Sequence, residues 1–494
     1  MPANHARAKA VVFQFSFCTF HFALCLSFAL ASEGCFFKER SFPHDPATRV
    51  TIDPPDSQAT QFVTVGASQP DADRPAITTR QWLVAADRKL RPLLPAHRKA
   101  PLLTEQLTQP TGQPTDLVAQ FEIKTDHLES IFANFLGLAY SAQASSAHES
   151  ARQAPPWDGF EDVWIPVRPD LQLSGRLGLA RDSSGRVNDA DCIVILPGLR
   201  GDHSILRVRD LAVALRRSGF HVLSIELRGM GQTDRRYPAC EYTWGILETN
   251  DLLLVADWLQ SRPHVRRTGL VGYSWGSNQA IMAAWAEGRT DTDGIPPRLV
   301  RYMTPTSQPG QPARRFQAGA IAFSPIPRFE NLLDKLEVEQ SAWQHPALSG
   351  LQATVRDRMI FKGYPNPCGS MRELFKHIGI GYDEAVADGL EYVRLMPYKG
   401  LAVHDRLNGT RVPLLIVHSA DDMIAPAQDV ADLIATTHNP NVAAIVLPSG
   451  GHIGFAPYAT AWYYNLILNF FDPVWGAAGE EWTRGRGDAG TRGN

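Results

Sequence analysis

The chain is poor in the features that mark several common classes of protein. Six cysteines in 494 residues are too few for a disulfide scaffold, and no C-x-x-C or comparable spacing points to a metal site. Neither sign of charge dominates, since 48 Lys and Arg stand against 51 Asp and Glu. A protein that grips phosphates needs a basic face, so no nucleic-acid partner is expected. Tandem repeats are absent too. The hydrophobic content of 44% and charged content of 20% belong to an ordinary globular enzyme rather than a disordered or fibrous chain.

The N-terminus is distinctive. Arg7 and Lys9 precede an apolar run over 11–30, which closes on Ala29-Leu30-Ala31. A basic start, an apolar stretch and a small-x-small site are the marks of an export signal. Residues 1–31 are therefore expected to send the protein to the periplasm or the outside of the cell, or to tether it to the membrane if the signal is uncut. Cys35 follows the expected cut, but Ser32-Glu33-Gly34 before it is not the small and aliphatic box of a lipoprotein. In an oxidising compartment Cys240 and Cys368, both in expected loops, can pair. Cys192 opens an apolar strand and is expected to be an inert core residue.

Residues 32–156 are rich in Pro, Gln, Thr and Ala, with one expected helix over 117–140 and no strand-like run. They are expected to form a partly ordered extension that packs on or tethers the catalytic domain. From 161 onwards, short β-branched runs alternate with amphipathic stretches, the pattern of strands and crossover helices in a mostly parallel sheet. An antiparallel hairpin is expected at 163–165 and 173–180. Strands are expected at 192–196, 221–225, 269–272, 318–323, 414–417 and 443–447, with helices at 206–217, 251–260, 277–287 and 458–471 between and after them. Their unbroken apolar runs suit strands covered on both faces. The expected domain spans 157–475, with a helical insertion over 325–400 where a lid would lie and a disordered tail over 476–494.

The sharpest motif is Gly272-Tyr273-Ser274-Trp275-Gly276, set between an expected strand and an expected helix. This G-x-S-x-G pattern holds a serine on a strained turn, where the flanking glycines remove side chains that would clash. A serine hydroxyl needs a base to attack. His452, in the Gly-rich loop Ser449-Gly450-Gly451-His452-Ile453-Gly454 after the last strand, is the candidate. The base in turn needs a carboxylate. The turn His418-Ser419-Ala420-Asp421-Asp422 ahead of Pro426 offers two, and Asp422, four residues before the proline, is favoured over Asp421. Backbone donors for a developing oxyanion are expected at Leu199, in the turn Pro197-Gly198-Leu199-Arg200-Gly201, and at Trp275. Asp202 and His203 lie nearby with no assigned role.

The order Ser274, Asp422, His452, together with Pro197-Gly198-Leu199 and Glu226-Leu227-Arg228-Gly229-Met230-Gly231, resembles the α/β-hydrolase superfamily over about 161–473. The Gly198-Leu199 turn and the Gly450-Gly451-His452 loop are similar to those of a carboxylesterase-like branch whose turn begins with histidine, where this chain has Pro197. Ser274-Trp275-Gly276-Ser277 resembles proline iminopeptidases. The resemblance implies a serine hydrolase of carboxylic esters that works through an acyl-enzyme, without metal or cofactor. A peptidase or amidase on the same residues, or a silent binding protein of the same fold, are its competitors. The expected partner is a small ester or amide, and no oligomeric state is implied.

Overall fold

The computed structural model describes residues 154–287 continuously and 295–472 with interruptions. Before them it describes 44–52, 77–95, 101–108, 113–117 and the single positions 42, 133, 134, 137 and 140. The expected signal over 1–31 and tail over 476–494 lie outside the described residues.

Nine strands form one sheet: β1 (Leu102–Leu103), β2 (Glu161–Arg168), β3 (Leu171–Gly178), β4 (Ala190–Leu196), β5 (His221–Glu226), β6 (Val265–Tyr273), β7 (Gly319–Phe323), β8 (Leu414–Ser419) and β9 (Val442–Leu447). Their order is β1-β9-β8-β7-β6-β4-β5-β3-β2. The run from β9 to β5 is parallel, while β2, β3 and β1 pair antiparallel. The β4 strand shows why the sequence carried unbroken apolar runs, since all seven of its residues are buried. Cys192, Val194 and Leu196 face one core layer, and Ile193 and Ile195 face the other. A strand that is wet on one face would have needed polar residues at alternate positions.

Helices α1 (Thr79–Leu90), α2 (Leu206–Arg217), α3 (Ile246–Gln260), α4 (Trp275–Ala286), α5 (Phe329–Glu337), α6 (Pro346–Phe361), α7 (Met371–Phe375), α8 (Ala427–Ala435) and α9 (Thr460–Phe470) complete the frame. Core residues of α3, α4 and α8 fill one layer with Leu252, Val255, Ala280 and Val430, while α1, α2 and α9 fill the other with Trp82, Leu211, Leu215 and Ile467. The architecture is a doubly wound α/β sheet with helices on both faces, as expected. The order of strands reverses at β4, which lies between β5 and β6, and such a reversal opens a crevice at the carboxyl ends of the strands. Between β7 and β8 the chain is helical, in α5, α6 and α7. Among the described residues no helix is long and apolar enough to cross a membrane.

Several details depart from the sequence expectation. Helix α3 starts five residues earlier than expected, because Glu248 turns back to accept the N–H groups of Thr243 at 2.7 Å and Gly245 at 2.8 Å, closing a cap around a left-handed Gly245. The closing helix is split at Ala459, with Pro457 in the short turn Phe455–Tyr458 before it. Cys240 and Cys368 are free thiols, and Cys192 is buried.

The extension also contributes a strand, which no run of residues announced. Leu102 and Leu103 pair with Val446 and Ile445, and the Thr104 hydroxyl accepts the Ala444 N–H at 2.9 Å. Arg80 of α1 donates to the carbonyls of Val442 and Thr437, both at 3.1 Å, and Trp82 packs edge-on against Phe470 at 5.3 Å.

Candidate active site

Ser274 directly follows β6 and immediately precedes α4. Its backbone is left-handed, with φ 53°, a costly conformation for a residue with a side chain. The turn is held by its N–H, which donates to the Phe323 carbonyl at 2.9 Å, and by its carbonyl, which accepts from Ser277 at 2.9 Å. A Cβ on Gly272 would come within 2.2 Å of the Gly276 carbonyl oxygen, and one on Gly276 within 2.3 Å of the Pro197 oxygen. Only glycine fits both positions, which is the physical content of the sequence motif.

His452 lies in the loop after β9 and Asp422 in the turn after β8, so three strand ends deliver the three side chains to one rim of the sheet. His452 Nε2 stands 2.8 Å from Ser274 Oγ. On its other side Nδ1 is 2.9 Å from Asp422 Oδ2 and 3.1 Å from Oδ1. Asp422 Oδ1 also accepts the N–H groups of Ile424 at 2.8 Å and Ala425 at 2.9 Å. Burial pushes the Asp422 carboxyl up. The facing His452, its hydrogen bond, His418 and the Ala425 amide outweigh that and hold the group below its ordinary range. His418 is itself buried, which lowers its pKa, and its Nε2 is bound to the Ala425 carbonyl at 2.9 Å.

Asp421, the competing carboxylate, serves the loop rather than the ring. Its Oδ1 accepts the Gly451 N–H at 2.8 Å, and Ser419 donates to the Gly451 carbonyl at 2.7 Å. The turn 197–201 lies against Ser274: a Cβ on Gly198 would sit 3.3 Å from its Cβ and 3.8 Å from its Oγ. Leu199 follows Gly198 in that turn, and Trp275 opens α4, where helix geometry leaves the first amides without intrahelical partners. His203 is structural, with Nδ1 3.2 Å from Glu226 and Nε2 3.2 Å from the Ser224 carbonyl.

Aromatic side chains wall the approach. Trp275 packs on Phe329 of α5 with centroids 4.0 Å apart, and Trp244 meets Phe375 of α7 at 5.0 Å. The helical insertion therefore sits directly beside the elbow. Among the described residues no cluster of three or more His, Cys, Asp or Glu is placed to hold a metal ion.

One residue of the site had no signal in the sequence. Asn134, from the extension, is buried and helical. Its Oδ1 accepts the His452 N–H at 2.8 Å and the Met423 N–H at 3.3 Å, and its Nδ2 donates to the Asp421 carbonyl at 2.8 Å. Nothing local distinguishes it from other polar residues in a Pro- and Gln-rich stretch.

A doubly wound sheet whose strand ends carry a serine elbow, an imidazole and a carboxylate in this chain order defines the α/β-hydrolase class of fold. Residues 193–463, more than half of the chain, match the alpha/beta hydrolase family, and the chain belongs to that family. No curated protein matches the sequence. Among solved structures, an esterase of Pyrococcus furiosus is 15% identical with a TM-score of 0.40, over 66% of this chain and 99% of that one. A 2,6-dihydroxy-pseudo-oxynicotine hydrolase is 14% identical with a TM-score of 0.38, over 63% and 68%. The acylaminoacyl peptidase of Pyrococcus horikoshii is 16% identical with a TM-score of 0.37, over 65% and 43%. At these values the likenesses decide nothing about substrate.

Proposed function

We propose that the protein is a serine hydrolase that cleaves carboxylic esters through an acyl-enzyme. The observation that supports this most is the unbroken contact from Ser274 Oγ to His452 Nε2 at 2.8 Å and from His452 Nδ1 to Asp422 at 2.9 Å. His452 Nε2 takes the Ser274 proton as Oγ bonds to the substrate carbonyl carbon, and the carbonyl electrons move to oxygen. The amides of Leu199 and Trp275 donate to that oxyanion, and the positive end of α4 adds to the effect. Collapse breaks the bond to the alcohol oxygen, which leaves with the proton from His452. Water then repeats the sequence on the acyl-enzyme and restores the serine. Asp422 keeps the Nδ1 proton in place and stabilises the imidazolium.

The test is covalent labelling with a fluorophosphonate, followed by turnover of p-nitrophenyl esters and aminoacyl-anilides. Labelling that Ser274→Ala abolishes, with ester turnover, supports the proposal. Turnover of anilides alone would make the protein a peptidase or amidase, and no labelling of folded protein would make it a binding protein. Export through residues 1–31 is part of the same proposal and is tested by sequencing the N-terminus of the mature protein.

A further inference from the structure

Next to the elbow, a cavity opens between the turn 197–201, the loop after β5 and helix α6. Leu199, Met230, Tyr242, Trp244 and Val355 give it an apolar wall, and Arg200, Arg358 and Glu241 supply its charged groups. A second cavity, which shares Met230 and Arg358 with the first, is again lined by Arg200, with Asp234 beside it. The other cations there are matched. Arg358 binds Asp234 at 2.7 Å and Glu241 at 3.0 Å, and Lys362 binds the same two carboxylates at 2.6 and 3.0 Å. Arg200 makes no ion pair among the described residues, and its one hydrogen bond is to the Thr354 carbonyl at 3.1 Å. It is held in a left-handed backbone, φ 59°, two residues after the glycine that touches Ser274. Burial and the nearby Arg358 lower its pKa, outweighing Asp357, Asp234 and Asp202, which act the other way. Arg200 is half-buried, and most of its fork is left without a direct hydrogen-bond partner among the described residues, free to meet an anion in bidentate fashion.

We propose that this cavity receives a carboxylate carried by the substrate, bound by the Arg200 fork, so that the preferred esters have one arm ending in an anion. The inference rests on the hydrolase reading and sharpens it to a substrate class. Apolar walls take the chain of that arm, and its charged end meets the Arg200 fork, which makes no direct ion pair among the described residues. Leu199 lines the cavity and is also the proposed oxyanion donor, which puts the subsite within one residue of the reacting carbonyl.

Two matched pairs of esters test it: monomethyl adipate against methyl hexanoate for the acyl arm, and 4-acetoxybenzoate against 4-acetoxybenzamide for the alcohol arm. The expected result is at least a tenfold preference in kcat/KM for the anionic member of one pair, with Arg200→Gln cutting that ratio at least tenfold. Ratios at or below one in both pairs, or a ratio that survives the substitution, overturn the proposal. If Arg200→Gln does not fold, Arg200→Lys keeps the charge without the fork and should give an intermediate ratio; an unchanged ratio then counts against it. If no ester is turned over and Ser274 resists the fluorophosphonate, the hydrolase reading has failed instead. Calorimetric binding of adipate, weakened tenfold or more in the Arg200 variant, still decides the subsite.

A second, independent observation concerns Asn134. Its single carboxamide bonds the acid turn, at the Asp421 carbonyl and the Met423 N–H, and the base loop, at the His452 N–H. The approach is close, since a Cβ on Gly451 would lie 2.6 Å from Asn134 backbone atoms and one on Gly137 would lie 2.7 Å from the His452 carbonyl oxygen. The segment is pinned from the far side, where Arg207 donates to the Gly137 carbonyl at 2.7 Å and Tyr140 to Asp210 at 2.6 Å. The geometry points to Asn134 as a positioning residue that sets the distance between the carboxylate and the imidazole, so that the extension is part of the working site. This too presupposes the hydrolase reading, which wild-type turnover checks first. Asn134→Ala should lower kcat ten- to a hundredfold and the rate of Ser274 phosphonylation in parallel, with KM within threefold. Asn134→Asp keeps the acceptor for both N–H groups but sets a charged oxygen against the Asp421 carbonyl, so it should lose at least as much kcat as alanine. An alanine variant that melts lower but keeps kcat, or an aspartate variant with wild-type kcat, overturns the assignment.

Discussion

The two adjacent aspartates allow a sharp test of which carboxylate serves the proposed base, His452. In Asp422→Asn the carboxamide retains the shape that accepts the Ile424 and Ala425 amides, so the turn should hold. What changes is the contact to His452 Nδ1 at 2.9 Å. An amide carries no charge to stabilise the imidazolium, and its NH2 group favours the ring tautomer with the proton on Nε2, which cannot accept from Ser274. A charge-assisted bond to a buried group is worth about 2–3 kcal/mol and the wrong tautomer roughly as much again. Together these approach about 5 kcal/mol, a loss of roughly a thousand- to ten-thousandfold in kcat. In Asp421→Asn the amide oxygen can still accept the Gly451 N–H, and the loss should stay within about tenfold. Steady-state kcat on an aryl ester, with far-ultraviolet circular dichroism to confirm folding, reads both. If the Asp421 variant is the more damaged, or Asp422→Asn loses less than tenfold, the acid has been misassigned.

Two further outcomes follow from burial. The Glu287 carboxyl, at the end of α4, is pushed up to about 8 by burial, against 4.5 in the unfolded chain. Below pH 4.5 both states hold the proton. Above it the unfolded chain releases the proton first, so stability is lost as pH rises until the folded group ionises near 8, by up to about 3 kcal/mol at pH 7. Glu287→Gln should therefore match wild type in urea midpoint at pH 4 and exceed it at pH 7; a gap that does not widen with pH refutes this. Trp82 is 1% exposed and packs on Phe470, so Trp82→Ala should cost about 3–5 kcal/mol in urea unfolding. A cost under about 1 kcal/mol would show that docking of α1 contributes little to the fold.

The parts of the molecule legible in the sequence are those whose physics is local or periodic. A strand buried on both faces, such as β4, must be apolar at every position, and Gly272 and Gly276 are forced by atoms a few residues away. Ser274, His452 and Asp422 could each be placed because each follows a readable strand. The contributions of the extension were not legible for the opposite reason. A two-residue strand leaves no period, and the partners of Asn134 lie 287 and more positions away. The early start of α3 was missed because its cap is made by Glu248 from inside the helix rather than by a serine or aspartate ahead of it. The Cys240–Cys368 pairing failed as an expectation because two loop cysteines need a shared geometry that loop position alone does not supply.

The pairing of Leu103 with Ile445 imposes a timetable on biosynthesis. The Thr104 hydroxyl and the Ala444 N–H it receives are separated by 340 positions, so the leucine pair stays without its strand partner until all of the intervening chain has been made. Ring closure over that span adds only logarithmically to the entropic cost, but it defers sealing of this sheet border until β9 has been made. Any event that stalls synthesis before β9 leaves this leucine pair uncovered, and handling of the nascent chain has to bridge that interval.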